Sequence, residues 1–262
     1  EHDKIVYFFT DNLVDQTNLQ NIKVISVPEL FGLTGTFECD YPKEPTKLFN
    51  CFMQRIESVR QSWFYFFKHF DLLDKGYVSF TLLQDAFHAG MKPLEIYDYN
   101  HKNYKLGNLE HFEKAYYEMR PHVPYKNFEE KYDLAGYLSD SKYTVSLESF
   151  ACEDNHFASA FTEKIQRALQ FPTINLIFAQ QNSMTKLQKR GFAIPNFMLE
   201  VDQYPWQRRQ QMLLEILTKD TEQFSAESLY NNAIHNQNIM HQYNKKLHDE
   251  SFYEEIFDTV VA

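Results

Sequence analysis

The sequence predicts an α/β fold built on a parallel sheet, and three observations predict it. The run Tyr143 to Ser149 and the run Pro172 to Phe178 are short and β-rich, and an amphipathic helix lies between them; strand, helix, strand is the repeating unit of a parallel sheet. Part of the same order occurs upstream, where Glu57 to Phe70 reads as a helix and Tyr77 to Phe80 as the next strand. The 262 residues are 44% hydrophobic and 24% charged, an ordinary globular composition that supports one large or two small cores.

Lys4 to Phe9 and Ile22 to Val27 are β-branched and aromatic runs that read as strands, with Asp11, Asn12 and Pro28 at their ends. In the helix from about Glu57, the residues Val59, Trp63, Phe66, Phe67 and Phe70 share one face, and Gly76 is its expected stop. Between Thr81 and Lys142 the chain is rich in Tyr, His and Lys and is interrupted by Pro93, Pro121 and Pro124, which reads as an irregular insertion. Inside it, Ile96 to Tyr99 suits a strand and Glu110 to Met119 a helix. Its aromatic side chains pack the insertion or stack on a sugar.

The helix from Ser159 to Leu169 places Phe161, Ile165, Ala168 and Leu169 on a buried stripe, with Ser159 or Thr162 as its cap. Ser183 is expected to cap a helix ending at Gly191, after which Phe192 to Ile194 begins a strand. Pro205 opens a helix through about Thr218, Ser225 precedes a longer one through about His248, and a short helix covers Phe252 to Phe257.

Charge and cysteine usage exclude several classes. A net charge of −10 is opposite to the basic surface that general nucleic-acid binding needs. Cys39, Cys51 and Cys152 are odd in number and contain no CxxC pair, so neither a disulfide framework nor a structural zinc site is indicated, and a reducing, cytoplasmic setting is expected. The longest aromatic run, Trp63 to Phe67, is far shorter than a membrane span. The chain therefore reads as a soluble enzyme or as a domain of a longer polypeptide. With no GxSxG elbow, Walker loop or GxGxxG, the serine-hydrolase, P-loop and nicotinamide readings have no motif to stand on. His235, His241 and His248 lack the i, i+4 spacing of a helical metal pair and read as solvent-facing. No Asp-x-Asp occurs; Glu38 and Asp40 come nearest, as a loop acid pair, and no metal site is expected.

The start of the helix near Thr162 carries the strongest functional signal. Free amides and the positive end of a helix dipole favour an anion, Lys164 adds a full charge, and Glu163 offers an acceptor for sugar hydroxyls. That combination suits a nucleotide-diphosphate sugar. Glu163 and Arg167 are equally an ordinary i, i+4 ion pair, which is the plain alternative.

The order Ser146-Leu-Glu148-Ser149, a short loop, then Phe161-Thr-Glu-Lys-Ile-Gln-Arg-Ala-Leu169 resembles the donor-binding half of GT-B glycosyltransferases of the α1,3-fucosyltransferase type, where Phe-Glu-Asn-Ser precedes a Thr-Glu-Lys-Ile helix start. It is similar as well to exostosin-like and viral or phage glycosyltransferase domains. A second block agrees, since the strand Lys47 to Met53, Arg60, the aromatic helix and Gly76 resemble the family's strand, Arg, helix and Gly. Two features depart from the pattern: Ser149-Phe150 stands where the family has Asn-Ser, and Gln166 where a Trp is usual.

The resemblance implies a GT-B-like architecture: a reduced N-terminal α/β acceptor region over 1–46, a Rossmann-type donor domain over 47–204, and C-terminal helices over 205–262 packing back on the N-terminal region. It implies a metal-independent, inverting transfer of a fucose-, rhamnose- or xylose-class sugar from a GDP- or UDP-type donor to a glycan hydroxyl, with no cofactor. Donor-binding residues would be Arg60, Ser149, Thr162, Glu163 and Lys164, with Arg55 and Glu148 as secondary candidates. The carboxylate base would come from the N-terminal side, Asp11 or Glu29 first and Glu38 or Asp40 next. The competing expectation is a non-catalytic glycan-binding or assembly module of a larger glycosyltransferase.

Overall fold

The computed structural model describes residues 6–10, 13–14, 22–26, 40–53, 58–80, 125–126, 134–148, 151, 158–159 and 162–247. Their centre is a five-stranded sheet in the order β6-β5-β4-β7-β9: β4 (Lys47–Met53), β5 (Gly76–Phe80), β6 (Tyr125–Lys126), β7 (Ser141–Leu147) and β9 (Ile174–Phe178). Four of these strands are parallel, and the two-residue β6 is an antiparallel edge. Nearer the N-terminus, β1 (Val6–Thr10) pairs in parallel with β3 (Ile22–Ser26), while β2 (Leu13–Val14) pairs antiparallel with β8 (Ala158–Ser159).

Residues of period two sort onto the two faces of the sheet. Phe49, Cys51, Met53, Tyr143, Val145, Leu147, Leu176 and Phe178 are buried on the face that meets α1 (Ser58–His69). There Phe67 packs 4.8 Å from the Phe49 ring centre, and Trp63 lies 5.7 Å from that of Phe178. Trp63, Phe66 and Phe67 are fully buried, each worth roughly 1.5–3 kcal/mol of apolar transfer, so the aromatic stripe read from the sequence is core. On the opposite face Asn50, Phe52, Thr144 and Ser146 lie under α2 (Leu134–Ser139) and α3 (Glu163–Gln170). Right-handed crossovers require this division, because β4-α1-β5 and β7-α3-β9 step outwards in opposite directions.

Four further helices complete the described fold: α4 (Ser183–Lys189), α5 (Asn196–Asp202), α6 (Trp206–Lys219) and α7 (Ala226–Leu247). Leu213, Leu214 and Leu217 of α6 join the core, and Gln210 donates to the Ser62 hydroxyl of α1 at 3.1 Å. Along α3 runs α7, where Asn236 donates to the Leu169 carbonyl at 3.1 Å and Gln237 to that of Gln170 at 2.9 Å. Tyr230 of α7 also meets Tyr41 from the N-terminal side, with ring centres 5.4 Å apart.

Several boundaries differ from the sequence reading. Helix α1 is stopped by Asp71, which takes the left-handed conformation (φ 52°), while the Leu72 amide reaches back to Phe67 and that of Asp71 to Lys68 in a Schellman closure. Gly76 instead opens β5, where a Cβ would stand 2.4 Å from the Phe49 ring, so close packing rather than helix termination requires a glycine. Thr162 caps α3 and Ser159 belongs to β8. Asn182, not Ser183, precedes α4; and Phe192 to Ile194 form no strand, since their backbone leads directly into α5. The segments 96–99, 110–119 and 252–257 lie outside the described residues.

Candidate functional site

Strand order reverses between β4 and β7, because β4 leads to β5 on one side and β7 to β9 on the other. In open α/β sheets the crevice beyond the carboxyl ends of such a strand pair is the favoured ligand site. Glu148 is the first residue past β7 there. Its amide donates to Phe178 O at 2.9 Å, extending the ladder to β9, and only 2% of the residue is exposed.

A buried carboxylate needs donors, and the start of α3 supplies them. The Thr162 hydroxyl donates to Glu148 Oε1, and Lys164 Nζ stands 3.6 Å from Oε2. Thr162 Oγ1 in turn accepts from the Lys164 amide at 3.3 Å, closing the N-cap, and lies 3.4 Å from Lys164 Nζ. Three of the sequence-predicted donor residues, Glu148, Thr162 and Lys164, are thus one hydrogen-bonded group. About a quarter of the Lys164 side chain faces solvent, at a helix start whose amides and dipole favour an anion. Glu163 is the first residue of α3; its side chain lies outside the described residues.

Arg60 stands in the first turn of α1, at the same sheet edge but against the opposite face. It is buried, 2% exposed, rather than projecting from the helix start. Burial pushes the neighbouring Cys51 thiol well above its ordinary range, with the Arg60 charge pulling the other way, so Cys51 is a protonated core side chain and no nucleophile. Arg55, Ser149, Asp11, Glu29 and Glu38 lie outside the described residues, and Asp40 is exposed. One pairing bears on the N-terminal candidates. Leu13 is the register partner of Ser159, so the N-terminal chain meets the segment three residues before the cap of α3, and Asp11 is two residues from Leu13 in sequence.

Two features escaped the sequence reading. Arg209 of α6 is buried and donates through Nη2 to Ala151 O at 2.9 Å and Ala179 O at 3.0 Å, and through Nη1 to Tyr204 O at 2.6 Å. It pins the backbone past the ends of both β7 and β9. Its charge also acts on Asp202, whose pKa burial raises although the Thr185 and Met184 amides, the Thr185 hydroxyl and Arg209 draw it down. The spacing of Arg209 four residues before buried Leu213 was the available signal.

The second feature is a partly open cavity of about 110 Å³ between α2 and α3, floored by Asn50, Phe52, Thr144 and Ser146 and rimmed by Lys164 and Arg167. Asn50 is 1% exposed, and an amide within an otherwise apolar strand was its sequence signal.

No family model, curated protein or solved structure matches this chain. Among the described residues no helix is long and apolar enough to cross a membrane.

Proposed function

We propose that this chain is a glycosyltransferase that moves a sugar from a nucleotide-diphosphate donor to a glycan hydroxyl. The observation that carries the reading is the Glu148–Thr162–Lys164 group at the switch point of a parallel sheet, where a helix start and a lysine face the same edge. The motif resemblance described for Ser146–Ser149 and Phe161–Leu169 supports the same assignment, and the fold is compatible with it.

In this mechanism the donor diphosphate lies against the α3 amides and Lys164, with Arg60 adding positive potential from the other face. Glu163 accepts from donor hydroxyls. Asp11 is the favoured base, because Leu13 pairs with Ser159 close to the donor helix; Glu29 is the alternative. The carboxylate takes the proton of the acceptor hydroxyl as its oxygen bonds to the anomeric carbon, and the bond from that carbon to the diphosphate oxygen breaks. The leaving diphosphate keeps the electron pair, and the cations and amides offset its charge without a metal. The acceptor is a glycan, the product carries an inverted anomeric centre, and the enzyme works in a reducing compartment.

The test is release of nucleoside diphosphate from a panel of UDP-, GDP- and dTDP-sugars, with glycan acceptors present and with EDTA added. Turnover in EDTA, lost on Lys164→Ala, is the expected outcome. Binding without turnover would make the chain a non-catalytic module, and neither binding nor turnover would remove the proposal.

A further inference from the structure

We propose that the cavity between α2 and α3 is a base-recognition pocket for uracil or thymine, which makes the donor a UDP- or dTDP-sugar rather than a GDP-sugar. This rests on the nucleotide-sugar reading and deepens it.

The floor of the cavity is polar and its orientation is fixed. Asn50 Nδ2 donates to Thr144 Oγ1 at 3.0 Å and to Tyr143 O at 3.3 Å. The Thr144 and Thr173 hydroxyls pair at 2.8 Å, with Thr173 Oγ1 also 3.4 Å from Asn175 Oδ1. Turning the Asn50 amide over would set its oxygen against the Tyr143 carbonyl, so the network holds the nitrogen inward. Both Asn50 donors are used within the sheet, and Oδ1, on a side chain that is 99% buried by the 1% exposure of the residue, is the acceptor left for an occupant of the cavity it lines.

Donors stand on the rim. Arg167 and Lys164 line the cavity there, and the Ser146 hydroxyl on the floor makes only a long contact of 3.5 Å to Lys164 O. A hydroxyl without a short partner gains a hydrogen bond when a ligand acceptor stands opposite it. One acceptor with donors around it, beside Phe52, Leu134 and Leu138, is complementary to a flat ring whose N–H lies between two carbonyls. Uracil and thymine have that edge. Cytosine in the same placement sets its ring acceptor against Asn50 Oδ1, and its exocyclic amine reaches that oxygen only in a shifted placement.

Size points the same way. An engineered apolar cavity of roughly 150 Å³ takes one benzene, so about 110 Å³ with an open side suits one six-membered ring and not the two rings of guanine. Lys164 belongs both to this rim and to the Glu148–Thr162 group, which joins the base pocket to the proposed diphosphate site.

The test is calorimetric titration of the full chain with UDP, CDP, GDP and N3-methyl-UDP, repeated on Arg167→Met. The methylated ligand removes the N–H without altering the protein, so the result does not depend on a variant folding. We expect UDP to bind on the order of tenfold or more tighter than the other three, as for a buried acceptor left unpaired, and Arg167→Met to narrow that gap. Equal binding of GDP, CDP or N3-methyl-UDP would overturn the base pocket while leaving the diphosphate site standing. No binding of any diphosphate would overturn both.

Discussion

Replacing Lys164 and Glu148 singly and together separates their mutual attraction from everything else either residue does. At 3.6 Å the Coulomb attraction of two unit charges is roughly 1 kcal/mol in water and 5 kcal/mol at an effective dielectric of 20. Glu148 is buried, whereas about a quarter of the Lys164 side chain meets solvent, so the lower part of that span applies and a coupling of about 1–3 kcal/mol is expected. Urea melts of wild type, Lys164→Met, Glu148→Gln and the double variant at neutral pH give the coupling directly. Glutamine at 148 still accepts from Thr162, which keeps the N-cap arrangement and confines the change to charge. The same four proteins titrated with UDP carry the functional half of the argument: Lys164→Met should bind at least about tenfold more weakly, while Glu148→Gln, which releases the ammonium from its internal partner, should bind no worse than wild type. A coupling below about 0.3 kcal/mol would refute the electrostatic account of the pair. Unchanged UDP affinity in Lys164→Met would refute its role at the diphosphate.

Gly76→Ala should destabilise the protein by about 1–3 kcal/mol, read from a urea midpoint, because the new Cβ meets the buried Phe49 ring at 2.4 Å and that ring is held against Phe67; an unchanged midpoint would show that the ring moves freely. Asp140 accepts from the Thr46 amide and hydroxyl and from the Tyr77 hydroxyl at 2.6 Å; burial raises its pKa, but these bonds and Lys47 outweigh it, so its carboxyl titrates below the usual range. The stabilisation is therefore full above about pH 4 and is lost as pH falls through the folded-state value, so Asp140→Asn should cost about 1–2 kcal/mol at pH 7 and less in acid, and a pH-independent difference would contradict the linkage.

Elements whose hydrophobic period is strong were legible in the sequence, since period alone decides which side chains leave water. The limits of β4 match the strand that the resemblance placed at Lys47 to Met53, and the helices after Pro205 and Ser225 begin where Pro and Ser announce them. The boundaries that failed involve competition between local signals and packing. Gly76 resembles a helix stop by spacing, but the ring of Phe49, distant in sequence, dictates its presence. At Phe192 to Ile194 the run is short and apolar, which suits a strand and a buried connection alike; the Asn236 side chain takes the backbone instead, its Oδ1 accepting from the Ala193 amide at 2.7 Å and its Nδ2 donating to Ala193 O. Of the site, Thr162 and Lys164 were legible because a helix start is a local pattern. The partners of Asn50 and Arg209 were not, because their hydrogen bonds cross 93 and 58 residues of chain.

The three bonds from Arg209 also set an order of events during synthesis. The backbone past β7 and β9 ends in carbonyls at Ala151 and Ala179 that wait for a guanidinium located 58 and 30 residues further along. A chain emerging from the ribosome can form β4, α1, β5, β7 and β9 while those carbonyls remain hydrated, but the rim of the sheet acquires its final form only after α6 has emerged and docked. The backbone past β7 and β9 therefore depends for its final hydrogen bonds on a helix that leaves the ribosome after both strands.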